Sequence, residues 1–170
     1  MEDAEELNEA RNHLGLAVGL GAESIGPPGQ RTFRLLVDGA RAKAVLWVEK
    51  EQLYQLGVAI KRLLATTDET QGSEPPSGWP SVEGTFDFKV GRMTLGHDGE
   101  SGLFLFLAQE VDAEDQVATV AWWADRRQVD SLADEAFGVV AAGRPLCILC
   151  GAPTEPEPHI CPRHNGHALI

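Results

Sequence analysis

Two stretches lying 76 positions apart, AVLWVEKEQLYQLGVAIKRLL and VAWWADRRQVDSLADEAFGVV, align without a gap. Trp47 meets Trp123, Glu49 meets Asp125, Lys50 meets Arg126, Gln52 meets Gln128 and Leu56 meets Leu132. In each copy a β-prone run ends in tryptophan, crosses an acid–base pair and enters an amphipathic stripe, so the hydrophobic period switches from about 2 to about 3.6 residues. Hairpin-like strands precede both copies. The chain therefore reads as an internal duplication of a strand-strand-strand-helix unit. Strands at such short spacing need antiparallel neighbours, and helices that follow them cover one face of the sheet. The expectation is an α+β fold: a mostly antiparallel sheet with both helices on one side, and Trp47 and Trp123 packed at strand ends under their helices.

Taken in order, residues 1–13 form an acidic N-terminal segment, 14–66 the first unit, 67–84 a Pro/Gly linker or loop, 85–143 the second unit and 144–170 a tail. Leu14 to Glu23 alternates as a first strand. Gly26 to Gln30, GPPGQ, is a turn, because proline fixes φ on one side and glycine permits positive φ on the other. Asp38-Gly39 between two β-prone runs signals a hairpin turn. Leu53, Leu56, Ile60, Leu63 and Leu64 share one helix face. In the second unit Phe86, Phe88 and Val90 alternate with Asp87 and Lys89, Gly96 to Gly99 reads as a turn, and Leu103 to Ala108 is apolar on both faces, as a central strand is. A second helix is expected from about Arg126 to Ala142. Trp79, the one large apolar side chain of the linker, is expected to anchor it.

The charge balance narrows the partners. With 14 basic against 26 acidic residues the formal net charge is -12, which opposes a phosphate backbone over most of the surface. Nucleic acid is not an expected partner. No apolar run approaches the roughly 20 residues that span a bilayer. The N-terminus, MEDAEELNEARNH, is acidic where a secretory signal would be basic and then apolar, so a cytoplasmic location is expected.

All 3 cysteines lie in CILCGAPTEPEPHICPRHNG, Cys147 to Gly166. C-x2-C is the spacing at which one backbone turn presents two thiolates to a tetrahedral zinc ion. Cys147, Cys150 and Cys161 are the three ligands expected if metal binds. The fourth is open on spacing alone: His164 completes a C-x2-H by symmetry, His159 sits two before Cys161, and His167 three beyond His164. A redox pair Cys147/Cys150 is the rival reading, but the motif follows a helix and Gly143-Arg144-Pro145, not a strand-to-helix junction. A filled four-ligand site has no open position for water, so the zinc is expected to be structural.

GPPGQRTF at 26–33, FKVGRMTLGHDG at 88–99 and VVAAGRPLCILCGAPTEPEPHICPRHNG at 139–166 resemble, in order and spacing, the bacterial family catalogued as domain of unknown function 3090. The likeness runs over about residues 14–167. The resemblance implies that His159, not His164, completes the site, since the family tail reads HxCPRxNG with a small residue usually at the position of His164. Leu146 and Ile148 stand where the family tends to carry proline. The family brings no reaction with it.

Three functional readings follow. The first is a zinc-stapled α+β body that binds another protein or a small ligand. The second is an enzyme of hydrolytic type, with a cleft between the units offering Gln30, Arg31, Arg92 and His97; His97-Asp98 also fits an ordinary hairpin turn. The third is zinc-ribbon recognition of nucleic acid, which the charge balance disfavours.

Overall fold

The structure, a computed structural model, describes residues 10–27, 29–68, 74–75, 82–115 and 117–142. Its elements are β1 (Ala10–Ile25), β2 (Thr32–Gly39), β3 (Lys43–Val48), α1 (Lys50–Thr66), β4 (Thr85–His97), β5 (Phe104–Glu110), β6 (Ala118–Ala124) and α2 (Arg126–Ala142). The order strand-strand-strand-helix thus occurs twice. The mixed α+β class and the mostly antiparallel pairing agree with the sequence: β1–β2, β2–β3, β4–β5 and β5–β6 are antiparallel, and only β3–β4 and β1–β6 are parallel. Among the described residues no helix is long and apolar enough to cross a membrane.

What sequence reasoning did not supply is closure. The strands form a barrel in the order β1-β2-β3-β4-β5-β6, so the sheet has an inside and an outside in place of two open faces. Two long strands achieve this. β1 pairs with β6 from Ala10 to Leu16 and with β2 from Ala17 to Ile25, with an irregularity between Ala17 and Gly19. β4 pairs with β3 from Thr85 to Lys89 and with β5 from Val90 to His97, with its irregularity between Val90 and Arg92. An extra residue sharpens the local twist and bends the strand, which lets it leave one sheet and enter the next. β1 begins at Ala10, ahead of the expected Leu14, because the polar residues there also pair: Asn12 donates its side-chain amide to Thr119 O at 2.8 Å.

The interior is filled by Leu35, Val37, Leu46, Val48, Phe88, Val90, Phe104, Phe106, Val120 and Trp122. Leu53, Leu56 and Ile60 of α1 and Val129, Leu132, Ala133 and Ala136 of α2 belong to the same cluster. β3 and β6 run in the same direction, so both helices leave from one end of the barrel and continue its core. Trp122 is fully buried and stacks on Phe106 at 4.9 Å with the rings 5° apart.

The placement expected for Trp47 and Trp123 is overturned by strand periodicity. Leu46, Val48, Trp122 and Ala124 take the inward positions, so Trp47 and Trp123, one residue out of phase, face outward. Trp47 donates its indole N–H to Asp87 Oδ1 at 2.8 Å and lies 5.4 Å below the Arg34 guanidinium, which pairs with Glu23. Trp123 joins an outer cluster with Leu103, Leu105, Leu107, Ala118 and Ala121. β5 and β6 are therefore buried on both faces, as the run Leu103 to Ala108 implied.

Two turns are displaced from their expected positions. Asp38 still pairs with Lys43, and the β2–β3 reversal lies at Gly39 to Ala42, closed by Gly39 N donating to Ala42 O at 2.9 Å. Gly39 is required by close approach: a Cβ there would lie 2.3 Å from Leu14 O and 2.7 Å from Ala42 O. β4 continues through Gly96 and His97, and the reversal runs from Asp98 to Leu103, with Gly102 at φ 74. Asp98 Oδ2 accepts the Ser101 N–H at 3.0 Å, and hydrogen bonding from Ser101 holds this carboxyl below the usual carboxylate range.

Because backbone oxygens cannot step aside cheaply, Gly39→Ala should lower stability by about 1–3 kcal/mol, read as a reduced urea midpoint at unchanged slope. Gly99→Ala, with nothing within 4 Å of the added methyl, should stay within about 0.5 kcal/mol of the parent.

Candidate functional site

The two helices begin in the same way. Gln52 Oε1 accepts the Glu49 N–H at 2.7 Å, and Gln128 Oε1 accepts the Asp125 N–H at 2.9 Å, while Asp125 Oδ1 takes the Gln128 N–H at 2.8 Å. These are capping-box contacts that satisfy donors at a helix start. The other end of each amide crosses to the opposite unit. Gln52 Nε2 donates to Val90 O at 3.1 Å and Gln128 Nε2 to Ala17 O at 2.6 Å. Each glutamine thus ties its helix start to the bulge of a long strand.

The helices then pack antiparallel. The Lys61 ammonium sits between Asp130 at 2.6 Å and Asp134 at 2.9 Å, which raise its pKa. Arg126 caps the far end of α1 through Leu64 O at 2.6 Å and Thr67 Oγ1 at 3.1 Å. Tyr54 meets Phe137 edge-on at 5.7 Å, and buried Gly57 makes room for that ring, since a Cβ there would come within 2.9 Å of it.

The symmetry ends at the strand edges. α2 lies along β1, and Glu135 Oε2 accepts the Ala22 N–H at 3.1 Å. On α1 the position aligned with Glu135 is Ala59. There a cleft of about 560 Å³ opens between α1 and β4, lined by Val48, Gln52, Leu53, Gln55, Leu56, Ala59, Val90, Gly91, Met93, Thr94 and Leu95. Its described walls are apolar with two amides and one hydroxyl. A volume of this size with a few placed polar groups is typical of ligand sites.

The residues singled out in the sequence lie elsewhere. Gln30 is exposed in the β1–β2 turn, and half-buried Arg31 donates through Nη1 to Ser24 Oγ at 3.0 Å. Arg92 is exposed at the β4 bulge, and His97 at the end of β4 lies 4.7 Å from the Phe104 ring. None of the four lines the cleft. Cys147, Cys150, His159, Cys161 and His164 lie outside the described residues, as does Trp79. Among the described residues no group of three or more His, Cys, Asp and Glu is placed to hold a metal ion.

Sequence reasoning missed the cleft residues although part of the signal was present. The aligned pair Gln52/Gln128 was visible, and so was the unequal pair Ala59/Glu135. Only the contact from Glu135 to β1 gives that inequality a meaning.

One further buried group is titratable. His13, 3% exposed, has its pKa lowered to about 4, chiefly by burial and also by the Arg41 guanidinium, against a backbone hydrogen bond at Ala10 that raises it. The fold holds the neutral imidazole, whereas the unfolded chain takes up a proton below its ordinary 6.5. The His13 contribution to stability should therefore fall as pH drops from 6.5 to about 4, by on the order of 3 kcal/mol, and level off below that. Urea titrations across this range should show a shallower fall for His13→Gln; parallel curves would refute the assignment.

A search of curated proteins finds no match to this chain, and a search of solved structures finds none either. The family model described as protein of unknown function DUF3090 matches residues 17–161, nearly the whole barrel-and-helix body and most of the cysteine tail, and the chain belongs to that family.

Proposed function

We propose that this chain is a binding module whose ligand seats in the cleft between α1 and β4, the point at which two duplicated units meet. The observation that carries this reading is the cleft itself, about 560 Å³ with apolar walls formed by Leu53, Leu56, Met93 and Leu95. Its described lining has no carboxylate, imidazole, thiol or amine to act as nucleophile or general base, which favours binding over turnover. The duplication is supported by the aligned sequences, the repeated element order and the reciprocal glutamine contacts.

Cys147, Cys150, Cys161 and His159 are proposed to hold a structural zinc ion, with His164 as the alternative fourth ligand. Three thiolates and one imidazole match the donor set of closed tetrahedral zinc sites. The ion would supply folding free energy to the tail and leave the ligand site to the barrel and helices.

Two measurements test the reading. Metal analysis of the purified chain should find zinc bound, and Cys161→Ala should lose it together with thermal stability; a chain that folds equally well without metal contradicts the structural role. Neutral apolar fragments, indole among them, should shift the amide resonances of Leu53, Leu56, Met93 and Leu95. Ala59→Trp, which fills the cleft from an exposed helix position, should abolish those shifts. Shifts centred elsewhere, or unaffected by Ala59→Trp, would remove the cleft from consideration.

A further inference from the structure

We infer that the cleft takes an extended segment of another protein, which adds a strand to the edge of β4 that no described residue pairs and turns alternate apolar side chains toward α1. This deepens the binding reading above and rests on it.

The phase of the β4–β5 ladder carries the argument. Asp98 N donates to Leu103 O at 2.9 Å, so this pair is hydrogen-bonded. Bonded and non-bonded pairs alternate along an antiparallel ladder. Counting back through the register, Gly96/Leu105 and Thr94/Leu107 are bonded pairs, while His97/Phe104, Leu95/Phe106 and Met93/Ala108 are not. The N–H and C=O groups of Met93, Leu95 and His97 therefore turn away from β5. On that side β3 has already stopped, since its register with β4 ends at Trp47/Lys89. The Gln52 amide reaches Val90 O at 3.1 Å and Gly91 O at 3.5 Å. Beyond Gly91, no described residue supplies a partner for this edge.

The other long strand shows what a sealed edge looks like. Ala22 stands three residues after Gly19, where β1 resumes its register past its bulge, and Leu95 stands three after Arg92, where β4 does the same. The Ala22 N–H is taken by the Glu135 carboxylate. The corresponding helix position facing β4 is Ala59, whose methyl reaches nothing of the kind, and the cleft occupies the difference. Met93 and Leu95 are half-buried there and line the cleft beside Leu53 and Leu56.

An unpaired strand edge is a template for another strand. A ligand that answers N–H and C=O groups at every second residue while offering apolar side chains is an extended peptide. The chain's net charge of -12 favours a segment flanked by basic residues.

The test uses the full chain and the end-blocked heptapeptide Lys-Val-Thr-Val-Thr-Val-Lys, with two isomers N-methylated at alternate residues so that each has one edge blocked. The parent peptide should shift the resonances of Leu56 and Leu95 and slow exchange of the Met93 and Leu95 amide protons. One N-methylated isomer should bind like the parent and the other should fail, because only one edge of the added strand faces β4. Ala59→Glu, which installs the carboxylate found at position 135, should weaken binding about tenfold or more without lowering the protein's thermal midpoint.

If both isomers bind alike, or only the neutral apolar fragments bind, strand addition is overturned and the cleft stands as a site for apolar ligands. If neither peptide nor fragment perturbs the cleft, both readings fall. Concentration-dependent shifts at Met93 and Leu95 without peptide would replace the partner protein by a second copy of this chain and also overturn the inference.

Discussion

Each half of this molecule lends its first strand to the other. The lower part of β1 is paired by β6 and its upper part by β2, while the lower part of β4 is paired by β3 and its upper part by β5. Neither unit closes a sheet alone, and the bends that permit the exchange occur at the register shifts of β1, His13/Leu16 and Ala17/Gly19, and of β4, Val90/Arg92. The helices depend on the same bulges, since Gln52 and Gln128 spend one end of the amide on a helix start and the other on the carbonyl at Val90 or Ala17. A residue that satisfies a cap and a strand irregularity together couples local helix geometry to barrel closure. Such buried or half-buried amide networks are sensitive to the loss of either partner.

With the barrel closed, the outside becomes two different surfaces. Across β1, β2, β3 and β4 the outward positions form a polar chain, with Glu23 paired to Arg34, Arg34 over Trp47 and Trp47 bonded to Asp87. Across β5 and β6 the outward positions are Leu103, Leu105, Leu107, Ala121 and Trp123, all buried. The aligned tryptophans Trp47 and Trp123 therefore share a backbone position and have unlike surroundings. A repeated element order does not enforce repeated environments, and the same holds for the helices, where Glu135 touches a strand and Ala59 does not.

Element type was largely legible in the residues. The helix over Arg126–Ala142 and the apolar stripe of Leu53, Leu56 and Ile60 followed from helical periodicity, and the double burial of Leu103 to Ala108 followed from its unbroken apolar run. Barrel closure was not legible, because it depends on which strand a bent strand pairs with at each end, and hydrophobic alternation is the same for a flat and a closed sheet. The inward and outward assignment of Trp47 and Trp123 failed for a related reason: a shift of one residue inverts every side chain in a strand. The cleft was hidden because it is defined by what a small residue leaves unfilled, and Ala59 resembles any other surface alanine until its counterpart Glu135 is seen bonded to Ala22. The cysteine tail, most legible of all as a motif, lies outside the described residues.

The pairing of β1 with β6 also sets a schedule for folding. Ala10 lies beside Ala118 in a parallel register, so the first described strand finds its second neighbour only after most of the chain has been made. Loop-closure entropy has to be met before that contact returns anything, and contacts between such distant residues slow folding. On a ribosome, the lower half of β1 would wait with one edge bare while β2 through β5 are assembled. The polar and charged residues along it, Arg11, Asn12 and His13, give that waiting edge less tendency to join another chain than a purely apolar strand would have.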